Sequence, residues 1–237
     1  GYEAALVAVQ YGAEVTLIER DGVGGACVLS DCVPSKTFIA SAGGRTSVLA
    51  ASSLGVMVDP DEVAMDVAVV NGRVTGLALA QSADIRASLI ASGVTIIEGT
   101  AVLSDPSPGL AAHRVVSTAI DGTVSECSAD VVLIATGASP RILPDAEPVG
   151  ERILTWRQVY SLTELPEHLI VIGSGVTGAE FASAYTEMGV HVTLVSSRDR
   201  VLPSEDADAA AVIEKVFSSR GSVLARRARA KSVKREG

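Results

Sequence analysis

The sequence predicts an α/β fold built from two strand–helix–strand units, because one pattern occurs in it twice. Residues 169–198 read L-I-V-I-G-S-G-V-T-G-A-E-F-A-S-A-Y-T-E-M-G-V-H-V-T-L-V-S-S-R. In this stretch a short apolar run, a glycine-rich turn, an Ala-rich helical segment and a second apolar run follow one another. Residues 1–20 repeat the later part of the same pattern. Strands that alternate with helices predict a parallel sheet covered by those helices.

The glycines of the complete unit predict a phosphate-binding turn. Gly173, Gly175 and Gly178 form G-x-G-x-x-G between a strand and a helix, the context in which this spacing indicates a dinucleotide site. One glycine makes the tight turn, one lets the backbone approach a pyrophosphate, and one lets the helix pack closely on the strand. Phosphates then bind the N–H groups at the helix N-terminus. A glycine-rich turn in an ordinary α/β protein is the alternative, and the two flanking strands weaken it.

The first unit lacks its opening strand and most of its glycine loop. When Gly178 is aligned with Gly1, the register holds without a gap and Ser196 aligns with Glu19. Since the chain begins without Met inside this motif, we expect it to be a fragment. The predicted fold class is therefore α/β, with two Rossmann-like domains of the three-layer ββα type, both incomplete.

A Pro-punctuated segment predicts where the two domains meet. Residues 140–148 contain three prolines and mark the crossover from one domain to the other. We expect the first domain to span residues 1–148 and the second to span residues 149–237.

The composition excludes several classes of function. The formal net charge of -9 argues against non-specific binding to nucleic acid, which requires a cationic surface. The basic residues between Arg226 and Arg235 are interpreted as a solvated strand face or loop. No uncharged apolar run approaches the roughly 18 residues of a membrane helix, and Glu3 and Glu14 interrupt any secretory signal. We expect a soluble cytoplasmic protein with no membrane span and no nucleic-acid partner.

Residues 21–40 carry the reactive chemistry. They read D-G-V-G-G-A-C-V-L-S-D-C-V-P-S-K-T-F-I-A, in which four residues separate Cys27 from Cys32. Pro34 suits the first turn of a helix. Cys32 is therefore expected at a helix N-terminus, where the helix dipole and Lys36 favour the thiolate. Such a thiolate exchanges with a disulfide or donates electrons into an electron-deficient ring.

Two other interpretations of these cysteines are weaker. Two buried cysteines can lie this close by chance. A zinc site needs further Cys or His ligands, and the remaining candidates, Cys127, His113, His168 and His191, show no companion spacing. We therefore expect no metal site, and Cys127 is expected to be a passive thiol.

The ends of two corresponding strands predict how coenzymes are distinguished. Glu19 stands about 20 residues beyond the expected glycines, where an acidic side chain accepts a ribose hydroxyl, although a plain exposed carboxylate is the alternative. Ser196 takes this place in the second unit, and Arg198 and Arg200 follow it. Without the acid a 2′-phosphate is not repelled, and a nearby arginine can bind one. We therefore predict that NADPH is accepted at least as well as NADH, unless both arginines point to water.

The remaining elements follow from shorter patterns. Residues 41–93 are helix-compatible, with breaks expected at Gly43-Gly44 and at residues 55–61. Gly72 and Gly76 argue against one unbroken helix in the second half of that stretch. Four further elements are expected: a strand over 94–102, a hairpin over 114–127, a buried parallel strand over 130–134 and a helix over 206–220.

The stretch G-G-A-C-V-L-S-D-C-V-P-S-K resembles the active-site stretch of the FAD-dependent pyridine nucleotide-disulfide oxidoreductases, the family of lipoamide dehydrogenase, glutathione reductase and mercuric reductase. The resemblance covers essentially the whole chain. It implies a flavoprotein in which NAD(P)H passes a hydride to FAD, which then reduces an acceptor. By position, it implies that Cys32 is the thiol against the flavin and Cys27 the interchange thiol. Lys36 and Glu180 match a lysine near the flavin and the glutamate that pairs with it.

The resemblance also assigns the residues that bind the cofactors. For FAD they are Gly1, Glu19, Gly25, Lys36, Ala135, Thr136 and Gly137. For NADPH or NADH they are Gly173, Gly175, Gly178, Ser196, Arg198 and Arg200. It further implies a homodimer when the protein is complete.

Departures from the family pattern favour one electron acceptor over another. Where the family reads C-L-N-V-G-C, this chain has Leu29 for the Asn and Asp31 for the small residue beside Cys32. The negative charge of Asp31 disfavours the thiolate form of Cys32. Disulfide exchange is therefore disfavoured more than flavin chemistry is. The wording of residues 153–160 and 201–210 is most similar to a bacterial branch described as NAD(P)H-quinone reductases.

Three functions therefore stay open. A quinone is the preferred acceptor. A dihydrolipoyl dehydrogenase or another disulfide reductase that uses Cys27 and Cys32 is the first alternative. An inactive nucleotide-binding fragment is the alternative from another class.

Overall fold

The computed structural model of the chain describes residues 1–104 and 113–233. The chain forms two compact units: unit 1 comprises residues 1–30 and 77–139, and unit 2 comprises residues 31–76 and 140–237. Both units combine helices with parallel strands, as the sequence predicts. The expected domain boundary at residue 148 rests on the Pro-punctuated segment, differs from this division into units and stays a prediction.

Unit 1 contains a mixed four-stranded sheet in the order β1-β2-β3-β4. Strand β1 is parallel to β2, whereas β2 and β3 are antiparallel, as are β3 and β4. The expected hairpin is confirmed as β3 and β4. The elements are α1 (Tyr2–Gln10), β1 (Thr16–Glu19), α2 (Gly25–Leu29), β2 (Thr95–Ser104), β3 (His113–Ala119) and β4 (Val124–Ala129).

Unit 2 contains a fully parallel three-stranded sheet in the order β5-β6-β7. Consecutive parallel strands in this order need crossover helices, and right-handed crossovers place those helices on one face. The elements are α3 (Cys32–Ala50), the first part of α4 (Val67–Ala91), β5 (His168–Ile172), α5 (Val176–Glu187), β6 (His191–Val195), α6 (Ala207–Ser219) and β7 (Val223–Ala225). Helix α4 continues from unit 2 into unit 1.

One face of the unit 2 sheet is packed and the other is open. Val192 and Leu194 of β6 are buried against the residues of α5, and Phe217 of α6 belongs to the same core. Along β5 the residues with the opposite side-chain direction are exposed, with Ile170 at 58% and Ile172 at 47%. This alternation follows from the two-residue period of a strand.

The core of unit 1 is smaller. Ala5 of α1, Leu89 of α4 and Val94 are buried together with Val23. Leu17 of β1 packs against this cluster and is partly buried. None of the helices in the described residues is both long and apolar enough to cross a membrane.

The expected buried strand over residues 130–134 is wrong. This segment has no regular structure, and Val131 is 83% exposed and Leu133 65% exposed. An apolar run becomes a buried strand only where neighbouring strands satisfy its backbone groups. None of the described strands pairs with it.

The expected break at Gly43-Gly44 is also wrong, because α3 passes through both glycines without interruption. Ala42 of this helix is fully buried in the unit 2 core. Packing of this kind outweighs the cost of about 1 kcal/mol for each glycine in a helix. Helix α4 likewise runs unbroken through Gly72 and Gly76, whereas the break at residues 55–61 is confirmed.

The basic cluster that was expected near the end of the chain is partly paired. Arg226 forms an ion pair with Glu214, and Arg227 forms one with Asp199. The last two basic residues of the cluster lie outside the described residues.

Candidate active site

The glycine turn of unit 2 brings two backbone segments into direct contact. Strand β5 ends at Ile172, and α5 begins at Val176. A Cβ atom on Gly178 would overlap the carbonyl oxygen of Gly173. Gly173 has a φ of +116°, which side chains rarely allow. Both positions therefore require glycine, as the G-x-G-x-x-G interpretation predicts.

The start of α5 leaves hydrogen-bond donors available. Gly175 is the N-cap, and no side chain caps this end. The first turn of any helix holds N–H groups without partners in the helix, and the dipole makes this end positive. A backbone that admits no Cβ and an uncapped helix start together fit a pyrophosphate group.

Ser196 lies at the same end of the sheet, and its hydroxyl group hydrogen-bonds to three neighbouring residues. The side chain is only 1% exposed. The Ser174 hydroxyl donates to Ser196 Oγ over 2.7 Å, and the Arg198 backbone N–H donates to it over 3.1 Å. Ser196 Oγ in turn donates to the Arg200 carbonyl oxygen over 3.2 Å. Ser196 therefore shapes the loop that follows β6 and presents no charge there.

The two arginines after Ser196 differ in their surroundings. One guanidinium nitrogen of Arg200, Nη2, donates to the carbonyl oxygens of Pro203 and Glu205, at 3.2 and 2.9 Å. The side chain of Arg198 is exposed and has no polar partner among the described residues. Of the two, Arg198 is the arginine that a ligand can reach.

Cys32 is the first residue of α3, as the sequence predicts, and it is exposed. Asp31 is the N-cap residue, but its carboxylate makes no capping hydrogen bond. The Ser35 hydroxyl is buried and donates to the Cys32 carbonyl oxygen over 3.4 Å. The thiol-bearing end of α3 is therefore fixed from within unit 2.

The structure brings Lys36 and Glu180 together. Lys36 Nζ lies 2.5 Å from Glu180 Oε1, and their side chains are 62% and 18% exposed. The hydrogen bond to Glu180 raises the pKa of Lys36, and the negative charges of Glu180, Cys32 and Asp31 act in the same direction. Partial burial opposes them. Lys36 is therefore a cation at neutral pH, one helical turn after Cys32.

Tyr160 is a site residue that sequence reasoning did not find. Its ring lies 5.8 Å from Phe38 and 5.6 Å from Phe181, centroid to centroid, so it packs between α3 and α5. Burial, with Asp31 and Glu180 nearby, raises the pKa of its phenol. Its hydroxyl is buried without a hydrogen-bond partner in the described residues. No spacing in the sequence marks this role.

Unit 1 holds the residues that were expected near FAD, apart from Lys36, which lies in unit 2. A Cβ atom on Gly1 would lie 3.5 Å from Ala135 Cβ, so the structure brings these two positions together. Glu19 ends β1, and its Oε1 accepts a hydrogen bond from the Asp21 N–H over 2.8 Å. Thr136 is exposed, and Gly137 has a φ of +70°.

The other unit 1 positions lie in a short helix. Gly25 begins α2 with a φ of +60° and open space around it, and Cys27 follows in the same helix and is exposed. Glu19 is only partly exposed.

A comparison with protein families decides the assignment. A family model described as pyridine nucleotide-disulphide oxidoreductase matches residues 1–237, the whole chain. The chain belongs to the pyridine nucleotide-disulphide oxidoreductase family. The resemblance noted from residues 21–40 is thereby confirmed.

Two relatives within this oxidoreductase family show different electron acceptors in their names. A Mycobacterium tuberculosis protein named NAD(P)H dehydrogenase (quinone) is 60% identical over 240 residues, covering 100% of this chain and 49% of that protein. A dihydrolipoyl dehydrogenase of Chlorobaculum parvum is 35% identical over 217 residues, covering 92% of this chain and 45% of that protein. The chain thus spans about half the length of the curated relatives it matches.

Solved structures agree with the fold. The crystal structure of LpdA from Mycobacterium tuberculosis matches with a TM-score of 0.93 and 59% identity, over 100% of this chain and 51% of that one. The HOCl-induced flavoprotein disulfide reductase RclA of Escherichia coli matches with a TM-score of 0.79 at 22% identity, over 100% of this chain and 49% of that one. The second likeness supports the fold alone.

Proposed function

We propose that this chain forms the nucleotide-binding and redox part of a flavoprotein that oxidises NAD(P)H and reduces a small-molecule acceptor, with a quinone as the preferred acceptor. The flavin, when bound, supplies the ring that accepts hydride from the nicotinamide. The chain's own residues bind, orient and balance the charge of these groups.

The ion pair between Lys36 and Glu180 carries the proposal. Lys36 is the fifth residue of α3, which begins at Cys32, and Glu180 is the fifth residue of α5, which begins at the glycine turn. Each helix start therefore lies only about 6 Å along its axis from the ion pair. Within unit 2, the pair links the helix that begins at Cys32 to the helix that begins at the glycine turn.

The residues present fit two cofactors in different degrees. For NAD(P)H, the glycine turn and the uncapped start of α5 would hold the pyrophosphate, and Arg198 would hold a 2′-phosphate. For FAD, Glu19 would accept the ribose hydroxyl, while Gly1 and the segment Ala135 to Gly137 would admit its backbone. Lys36 would offer a positive charge to the flavin ring. We extend this assignment to a division into an FAD domain over residues 1–148 and an NAD(P)H domain over residues 149–237.

Two observations favour a quinone over a disulfide. The relative at 60% identity is named a quinone dehydrogenase, whereas the dihydrolipoyl dehydrogenase is 35% identical. Asp31 adds a negative charge beside Cys32, which opposes the thiolate that disulfide exchange needs. Both cysteines are present, so reduction of a disulfide such as lipoamide is the second candidate. A homodimer in the cytoplasm completes the proposal.

Steady-state assays with rival acceptors test the proposal. The purified protein is expected to show flavin absorption bands and to oxidise NADPH faster with a naphthoquinone than with lipoamide. Cys32→Ser should leave the quinone rate unchanged, because electrons pass to the quinone without the thiols. Cys127→Ser is the matched control, since Cys127 lies on β4 and is not among the candidate residues.

Two results would contradict it. Faster turnover of lipoamide that Cys32→Ser abolishes and Cys127→Ser preserves would establish the disulfide reductase instead. A colourless protein that binds NADPH but transfers no electrons would establish the inactive nucleotide-binding module.

A further inference from the structure

The two histidines of the unit 2 sheet stand side by side. His168 begins β5 and His191 begins β6, and the register pairs them directly across the parallel ladder. Their ring centroids are 4.5 Å apart, with 33° between the ring planes. Both side chains are exposed, on the open face that carries Ile170. Neither imidazole forms an ion pair with any described residue.

Thr193 fixes the orientation of one ring. His168 Nε2 lies 2.9 Å from Thr193 Oγ1, the hydroxyl two residues after His191 on the same strand. When the imidazole donates this hydrogen bond, Nδ1 of His168 keeps its lone pair free. Histidines that bind metals are commonly held in this way, with the other ring N–H given to a neighbouring acceptor.

We propose that His168 and His191 together bind a divalent transition-metal ion of the copper(II) type, with water completing its coordination. Imidazole suits copper, nickel and zinc, and copper(II) binds most strongly to a given set of nitrogen ligands. Two neighbouring nitrogen ligands suit the square-planar or tetragonal geometry of copper(II). The formal net charge of -9 also favours the approach of cations.

This site differs from the zinc site that the sequence argues against. That argument concerned a site with four protein ligands, whereas this one has two and is open to solvent. No cluster of three or more His, Cys, Asp or Glu residues suited to a metal occurs in the described part of the chain. The binding is therefore exchangeable and does not hold the fold together.

The histidine pair is also separate from the proposed nucleotide site. The histidines begin β5 and β6, while the glycine turn and Ser196 follow the ends of the same strands. Five residues of strand separate the two places by about 13 Å or more. The proposal therefore stands or fails independently of the oxidoreductase function.

Titration with copper(II) sulfate, followed by electron paramagnetic resonance, tests the site. The thiols are first alkylated with iodoacetamide, because cysteines would compete for copper or reduce it. We expect one copper(II) to bind per chain, with hyperfine coupling from two imidazole nitrogens. His168→Ala and His191→Ala should each leave one coupled nitrogen and weaken binding more than about tenfold, and Thr193→Val should weaken it about tenfold.

His113→Ala is the matched control, because His113 is the one histidine outside the pair and begins β3. It should bind copper(II) as the unchanged protein does. Equal binding after His168→Ala, equal loss after His113→Ala, or coupling from a single imidazole in the unchanged protein would overturn the proposal. A rise in Tm with copper(II) in the unchanged protein, absent from the double variant of His168 and His191, gives a second readout.

Discussion

Ser174 and Ser196 share a buried hydrogen bond that ties the glycine turn to the end of β6, with 2.7 Å between the two hydroxyl oxygens. Ser174 is 6% exposed and Ser196 is 1% exposed. The bond joins the glycine turn to the loop that follows β6. In the coenzyme site proposed above, the geometry of the turn therefore depends on that of the loop.

Removing either hydroxyl should destabilise unit 2 and should do so in a coupled way. Ser196→Ala leaves the Ser174 hydroxyl and the Arg198 N–H unsatisfied, so we expect a loss of about 1–3 kcal/mol in the free energy of unfolding. The double variant with Ser174→Ala should lose less than the sum of the single losses. Urea denaturation of the four proteins measures this, with exposed Ser197→Ala as the control. Additive losses would mean that the two hydroxyls act separately.

Arg198 is expected to distinguish NADPH from NADH. Arg198→Met removes the accessible guanidinium, and a hydrogen bond to a charged group contributes about 1.5 kcal/mol or more. NADPH binding should therefore weaken about tenfold, while NADH binding stays the same. Fluorescence titration with both coenzymes measures the change, and Arg73→Met, an exposed arginine on α4, is the control.

Arg200 should behave differently from Arg198. Its guanidinium is engaged with two backbone carbonyls, so Arg200→Met should loosen the loop and weaken both coenzymes alike. Selective loss of NADPH in Arg200→Met rather than in Arg198→Met would reverse the assignment.

Two glycine-to-alanine changes should have opposite effects. Gly178→Ala puts a Cβ atom onto the Gly173 carbonyl oxygen, so the turn must distort. We expect a loss of about 1–3 kcal/mol in stability, together with loss of NADPH binding. Gly44→Ala lies in α3 with nothing within 4 Å of the new atom, and should gain about 0.5–1 kcal/mol. Thermal unfolding and coenzyme titration of both variants provide the comparison.

The stability of unit 2 should fall at alkaline pH. Burial raises the pKa of Tyr160 and of Tyr185 above the ordinary value of 10.0. The folded state therefore keeps protons that the unfolded state releases above pH 10. The stabilisation is complete below that pH and is lost as the pH rises towards the folded pKa. Each residue contributes a slope of about 1.4 kcal/mol per pH unit in that range.

Tyr160→Phe isolates one of these contributions. It should reduce the alkaline slope by one proton, and at neutral pH it should be neutral or stabilising, because the lost hydroxyl has no partner in the described residues. Urea denaturation at neutral and alkaline pH measures both effects. Tyr11→Phe, at a residue 88% exposed, is the control and should change neither. Marked destabilisation at neutral pH would show that the phenol is hydrogen-bonded.

The sequence patterns correctly predicted those segments whose strands and helices pack against one another within the same short stretch of chain. The unit from Leu169 to Val195 is confirmed as β5, α5 and β6, because its strands pair with each other and its helix packs on them. The start of α3 at Cys32 is confirmed for a similar reason, since Pro34 acts within its first turn. Where an element depends on distant residues the sequence was less informative. The segment over residues 130–134 has no described strand beside it. Helix α3 continues through its two glycines because neighbouring residues such as Ala42 are packed in the core of unit 2.

The sequence predicted which residues form the candidate site better than it predicted the contacts between them. The meeting of Lys36 with Glu180 followed from a resemblance, not from their separation in the sequence. The alignment of Ser196 with Glu19 showed that the second unit has no acid at this position. It did not show that Ser196 is buried and accepts a hydrogen bond from the Ser174 hydroxyl. Tyr160 lies in a stretch without a motif, and only packing against Phe38 and Phe181 brings it to the site.

Pro34 has a consequence for how the sulfur of Cys32 can be tuned. The ring occupies the third position of α3 and is buried, so the first turn cannot unwind or slip by one residue without exposing it. Its fixed φ suits a helix, and the N–H that it lacks would have no partner in the first turn. The backbone that carries the sulfur atom is thus held in a fixed conformation. Engineers can alter its nucleophilicity by exchanging adjacent side chains, Asp31 foremost, without displacing the backbone that carries it.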